Sequence, residues 1–182
     1  WLGDEDPHAR TLLLPATGFG DYTWGRTIDE PAQALARAPW AVRSQIPLGS
    51  EGNTRLMDAV EDALGDGRGS PALADFLSRA GYRFLLLRGD IDRQTGNAPP
   101  AEVIRAGLAR SAGIERVRAF GPLEIYQVAD RVPRVSVVAA SAVPTVSGGP
   151  ESLLPLLESD AAGGIRSRRG PADAPSARST SA

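Results

Sequence analysis

The stretch Tyr82–Arg88, YRFLLLR, does most to limit what this chain can become. Its nearly continuous apolar run suits a strand covered on both faces, where neither side can carry a solvent-facing polar set. Both its neighbours in the chain read as helices. Upstream, Leu56, Met57, Val60, Ala63 and Leu64 fall at helical spacing and form one apolar stripe, which Gly65 and Gly67 stop. Asn53 or Thr54 is expected to cap that helix. Ser70-Pro71 opens a second helix, with Leu73, Phe76, Leu77 and Ala80 facing inward and Gly81 closing it. The expectation is that Leu85 and Leu86 lie in a central strand, beneath the helices that carry Leu77 and Leu108.

The rest extends this pattern. Residues 11–14, TLLL, ended by Pro15, read as a short buried strand. Residues 101–112 read as a helix with Val103, Ile104 and Leu108 inward. Residues 115–120 and 123–128 form a hairpin around Gly121-Pro122. Strand, helices, strand, helix and hairpin in that order predict an α/β fold, a partly parallel sheet flanked by helices with a C-terminal hairpin. Beyond it, residues 132–138 read as a strand that starts a β-rich segment, and residues 150–157 as a short helix. The expected division is an α/β domain over 1–130, a linker and the start of a following domain over 131–160, and a disordered low-complexity tail over 161–182.

Composition excludes several functions. The chain has 182 residues and a formal net charge of −2, and every basic residue is arginine, so there is no basic field for nucleic acid. It has no cysteine, which removes disulfides and thiolate metal sites, and its lone histidine, His8, cannot build a histidine cluster. No cofactor is expected. No apolar run approaches the ~18 residues of a membrane helix, and the chain, which starts at Trp1, is expected to be a soluble piece of something longer. No P-loop, nucleophile elbow or dinucleotide fingerprint is present.

Residues 17–55 are where binding chemistry gathers. The segment holds two of the three tryptophans, together with clustered charges and repeated glycines, and reads as an ordered loop that presents rings and hydrogen-bonding groups. The candidate substrate-binding residues are Tyr22, Trp24, Arg26, Asp29, Glu30, Arg43, Glu51 and Asn53. A tryptophan ring offers a flat, rigid surface to the C–H face of a sugar, while arginine and carboxylates give charge-assisted hydrogen bonds to hydroxyls or phosphate. Plainer readings stand beside these. Asp29 and Glu30 suit a helix start, which Pro31 would open with Ala32, Leu35 and Ala36 inward and Pro39 would end. Trp40 suits packing beneath the loop, and residues 50–55 suit caps and turns. For Trp24 packing and contact are evenly balanced. As sequence neighbours, Asp29 and Glu30 cannot face each other across a sugar as a hydrolytic acid pair must.

The text of this segment, FGDYTWGRTIDEPAQAL and PWAVRSQIPLGSEGNTRLMDAVE, resembles the alpha-(1→3)-arabinofuranosyltransferases that build cell-envelope arabinan. YRFLLLRGDID, RAFGPLEIYQV and SGGPESLLPLLES extend the resemblance over residues 10–159. The resemblance implies a soluble, extracytoplasmic portion of a membrane glycosyltransferase that uses a lipid-linked arabinose donor. Its implied partners are an arabinan acceptor and the membrane-embedded part of the same polypeptide. It carries over no catalytic residue, so the fragment itself is expected to be inactive. The alternative is a freestanding carbohydrate-binding or scaffold domain without transfer activity.

Overall fold

The computed structural model describes residues 1–17, 20–27, 29–44, 49–94, 98–129, 137 and 147–161. Strand β1 (Arg10–Leu14) lies between β4 (Trp40–Ala41) and β5 (Tyr82–Arg88), parallel to both. Strand β5 is the middle strand of five, in the order β4-β1-β5-β7-β6, and its other neighbour β7 (Leu123–Val128) runs antiparallel. Strand β6 (Ile114–Phe120) pairs with β7 as the expected hairpin and forms an exposed edge. A separate two-stranded ribbon, β2 (Gly20–Tyr22) and β3 (Gly25–Thr27), sits beyond the end of β1.

The two faces of the sheet are covered unequally. Helices α3 (Glu51–Gly65), α4 (Leu73–Arg79) and α5 (Ala101–Arg110) seal one face. Their Val60, Leu64, Leu77, Ile104 and Leu108 pack on Leu12, Leu14, Leu85, Leu87 and Tyr126 of the sheet. Helix α6 (Leu153–Ala161) follows a 3-10 turn at Pro150–Ser152 and adds Leu154 to this layer. The opposite face has a much smaller cluster, where Phe84 and Ile125 meet Trp1 and Leu2 at the amino terminus. Helix α1 (Leu2–Glu5) is a single turn, and Trp1 meets Phe84 edge to face, 5.9 Å between centroids.

A register shift between Arg10 and Thr11, opposite Arg83, explains how β5 serves both layers. One extra residue reverses the alternation of side chains. Tyr82 therefore shares the helix face with Leu85 and Leu87, while Phe84, Leu86 and Arg88 point the other way. This corrects the expectation for Leu86: the residue is half-buried on the sparsely covered face, not under the helices.

Other expectations change in detail. The helix expected to be capped by Asn53 or Thr54 begins at Glu51, because Ser50 Oγ accepts the Asn53 N–H. The helix after Pro31, α2 (Ala32–Leu35), is one turn long; Leu35 is 77% exposed and Ala36 is exposed and extended, so neither faces inward. Residues 17–55 contain their own ribbon, helical turn and strand, so the segment is not one open loop. The strand expected at 132–138 and the tail lie outside the described residues, apart from Val137 and Ala161. Gly89 follows β5 against Pro122, where a Cβ atom would come within 2.6 Å of the Pro122 carbonyl oxygen.

The asymmetry separates the two leucines in a denaturation experiment. Leu85→Ala empties a fully enclosed site and is expected to cost ~2–5 kcal/mol, whereas half-buried Leu86→Ala is expected to cost clearly less. Urea unfolding of both variants checks this, and equal losses would contradict the assignment of faces.

Candidate functional site

The parallel strands β1 and β5 end side by side, Leu14 opposite Leu87. From β1 the chain first visits β4 on one side and then returns through α3 and α4 to β5 on the other. Crevices outside the carboxyl ends of parallel strands, where connections diverge like this, are where open α/β sheets place ligands. Here the crevice is closed over by the β2–β3 ribbon. The ribbon is held by its backbone: Thr23 N–H donates to the Asp90 carbonyl at 2.8 Å and Asp92 N–H to the Asp21 carbonyl at 2.9 Å. A bridge between Tyr22 and Ile91 lies between these bonds.

Arg88, the last residue of β5, is the charged centre of the site and only 3% exposed. Its Nη1 donates to Glu30 Oε2 at 2.6 Å and to the Tyr22 hydroxyl at 3.4 Å, and Nη2 donates to the Pro15 carbonyl. Tyr22 is enclosed by these groups. Burial pushes its phenol up to about 12, Arg88 opposes this and Glu30 adds to it, so the hydroxyl stays protonated. The Tyr22 ring stacks on Trp24 with centroids 4.7 Å apart and planes 16° from parallel. Trp24 Nε1 donates to Asp90 Oδ2 at 2.8 Å. The Trp24 ring is thus fixed on one face and at its N–H, yet 60% exposed.

Beneath lies a cleft of about 790 Å³ along the sparsely covered sheet face. This is within the size of small-molecule sites, ~300–1,000 Å³. Trp1, Trp24, Trp40, Leu35, Leu86 and Phe120 give it apolar walls. Thr11, Glu30, Arg88 and Asp90 give it polar points. Three polar atoms of residues that line it, Thr11 Oγ1, Arg88 Nε and Asp90 Oδ1, are buried and have no hydrogen-bond partner among the described residues.

Behind the crevice, Glu61 of α3 accepts the Ala16 N–H at 2.9 Å through Oε1. Ala16 follows Pro15, so the turn leaving β1 is held by Arg88 on one side and Glu61 on the other. Burial raises the Glu61 carboxyl to about 7, opposed by the Ala16 N–H and by Arg88.

Of the eight candidates from the sequence, the structure brings Tyr22, Trp24 and Glu30 together in this cleft. Glu30 does not act as a helix-start acid; its carboxylate pairs with Arg88. Arg26 is exposed and paired with Asp21 on the outer side of the ribbon, and Asp29 is exposed. Arg43 pairs with Asp58 of α3 at 2.6 Å. Glu51 pairs with Arg55, which also reaches Glu151 at 3.1 Å, and Asn53 supplies the capped N–H; these residues tie the start of α3 and do not line the cleft. Trp40 is half-buried and forms a wall of the cleft. Arg88 and Asp90 were missed by sequence reasoning. The available signal was an arginine closing an apolar strand, followed by Gly-Asp, because a charge at that position needs a buried partner.

The fold and cleft define an α/β domain with an aromatic-walled crevice at the carboxyl ends of its parallel strands. A family profile described as "Alpha-(1->3)-arabinofuranosyltransferase, N-terminal GT-C domain" matches residues 1–181. The chain belongs to that family. It is 33% identical over 173 residues to the alpha-(1->3)-arabinofuranosyltransferase of Mycobacterium tuberculosis, covering 82% of this chain and 12% of that protein. With the Mycolicibacterium smegmatis protein of the same description it shares 34% identity over 122 residues, 66% of this chain and 9% of that one. A solved cryo-EM structure of arabinofuranosyltransferase AftD from mycobacteria superimposes with a TM-score of 0.81 at 33% identity, covering 89% of this chain and 14% of AftD. The chain therefore spans about an eighth of the length of the first of these relatives. Among the described residues no helix is long and apolar enough to cross a membrane, and no group of acids and histidines is arranged to hold a metal ion.

The buried carboxyl makes a pH prediction. With its pKa raised from 4.5 to about 7, Glu61 binds more proton in the folded state than in the unfolded one across that window. Stability should fall as pH rises through it, by an amount on the order of 3 kcal/mol. Glu61→Gln keeps a carbonyl oxygen for the Ala16 N–H and should flatten this decline. Urea unfolding across the window checks it; an unchanged slope in the variant would show that Glu61 ionises freely.

Proposed function

We propose that this chain is a noncatalytic, extracytoplasmic portion of a membrane-bound arabinofuranosyltransferase of cell-wall arabinan assembly. It supports acceptor-glycan binding or the architecture around the active site. The observation that carries this reading is Trp24, a ring fixed by Tyr22 and Asp90 yet left open at the mouth of a cleft. Rigid, exposed aromatics of this kind anchor ligands because little freedom remains to be lost on binding. Family membership supplies the reaction to which such an anchor contributes. The partners are an arabinan acceptor and the membrane-embedded part of the same polypeptide, and the lipid-linked arabinose donor is handled there.

The candidate residues divide accordingly. Tyr22, Trp24 and Glu30 form the contact surface, with Arg26 at its outer edge. Glu51 and Asn53 tie the start of α3, and Arg43 pairs with Asp58 in its middle. Among the described residues no activated nucleophile lines this cleft, and its two inner carboxylates are already engaged, Glu30 by Arg88 and Asp90 by Trp24.

Two measurements test the reading. The isolated chain is expected to transfer no arabinose from a lipid-linked donor and to hydrolyse no glycoside; turnover of the donor would overturn the assignment of catalysis to the membrane part. In a full-length enzyme carrying this segment, Trp24→Ala is expected to lower kcat/KM for acceptor by roughly thirty-fold, the equivalent of about 2 kcal/mol. Arg26→Ala should act in the same direction, more weakly. Circular dichroism controls for folding, and parental transfer rates in both folded variants would make the ribbon purely structural.

A further inference from the structure

The polar end of the cleft contains more than its aromatic wall requires. Arg88 and Asp90 are 3% and 8% exposed, and each has one side-chain atom without a partner among the described residues, Arg88 Nε and Asp90 Oδ1. An unpaired buried polar atom is costly, and two on residues separated by a single glycine call for a reason. The atoms are of opposite kind. Arg88 Nε, a guanidinium N–H, can only donate, and its Nη atoms are already occupied by Glu30, Tyr22 and Pro15. Asp90 Oδ1, a carboxylate oxygen, can only accept, and Oδ2 is already occupied by the indole of Trp24. A ligand that satisfies both must offer an acceptor and a donor close together. Two adjacent hydroxyl groups do this, since each hydroxyl can do either.

The charge around the site narrows the ligand further. At this end of the cleft one guanidinium, Arg88, faces two carboxylates, Glu30 and Asp90, which leaves one negative charge, while the Arg26–Asp21 pair outside is neutral. Arg88, the buried cation, is already paired with Glu30. A phosphate or carboxylate brought here would meet that excess where the one adjacent cation is already paired, since the cleft's other arginine, Arg37, sits against Gly3 of α1. The free face of Trp24 completes the site, because it can cover the C–H groups of a ring held by its hydroxyls.

We infer that the inner end of the cleft is a subsite for a neutral sugar ring. Asp90 Oδ1 accepts a hydrogen bond from one ring hydroxyl, Arg88 Nε donates to the adjacent one, and Trp24 covers the ring face. This deepens the acceptor reading given above and rests on it. The site takes neutral saccharide and rejects phosphorylated sugar, so it separates acceptor from lipid-phosphate donor.

The test is calorimetric titration of the 182-residue chain with a neutral arabino-oligosaccharide, with inorganic phosphate as competitor. Saturable binding that phosphate does not displace is expected. Asp90→Asn can keep an oxygen toward Trp24 while turning an N–H toward the cleft, and should weaken binding at least about tenfold. Arg88→Lys keeps a cation for Glu30 but loses the Nε donor, and should weaken it roughly fivefold or more. Binding of the folded Asp90→Asn variant at parental affinity, or displacement of the sugar by phosphate, overturns the subsite. A chain that binds no saccharide, where Trp24→Ala still slows transfer by the full-length enzyme, also overturns the subsite and leaves the acceptor reading standing. Loss of both results removes the two together.

Discussion

The guanidinium of Arg88 is the group on which the rest of the site depends. It ends the central strand Tyr82–Arg88 and is nearly as enclosed as Leu85 and Leu87 before it. Such a charge is tolerable only with partners, and each partner is drawn from a different part of the chain. Pro15 comes from the turn after β1, Tyr22 from the ribbon, and Glu30 from the approach to α2. One cation thereby assembles three segments that share no continuous strand or helix. Taking away one partner would leave a buried charge exposed to nothing, which is why this kind of contact specifies an arrangement more than it adds net stability.

The second organising fact is that one sheet face is closed and the other is half open. The helix layer makes a conventional core, with Leu12, Leu14, Leu85 and Leu87 nearly inaccessible. Across the sheet, among the described residues, Phe84 and Ile125 have Trp1, Leu2 and Ala9 near the amino terminus as apolar cover. The remaining surface, with its walls of Leu35, Trp40 and Phe120, is left as a cleft. A parallel strand needs cover on both faces, so a half-covered one leaves room for a ligand to take part of that role.

The secondary structure was largely readable from residue pattern, and the site was readable in part. Strand β5 and the hairpin stand where the apolar runs and the Gly121-Pro122 turn put them, because those signals are local. The facing of Leu86 was not readable: FLLL has no alternation to reveal a side, and the bulge opposite Arg83 is visible only once β1 is paired. The short helix after Pro31 is present as α2, but its inward face failed for a related reason. Its apolar positions had the right spacing, but one turn of helix at the cleft rim has nothing to pack against. Tyr22 and Trp24 were legible as aromatic residues in a glycine-rich segment. Glu30 was legible as an acid but not as a partner, because Arg88 lies 58 residues away. Asp90 was hidden in what looked like loop, since nothing local distinguishes an acid that receives an indole N–H from one that faces water.

All three tryptophans of the chain, Trp1, Trp24 and Trp40, line the same cleft, and the helix layer contains none. The tryptophan emission of the protein therefore originates on one side of its sheet. A fluorescence trace follows the cleft and its ribbon, while far-ultraviolet dichroism follows mostly α3, α4 and α5. The two signals view opposite faces of one five-stranded sheet, so any difference between their melting curves measures how tightly the half-open side is coupled to the closed one.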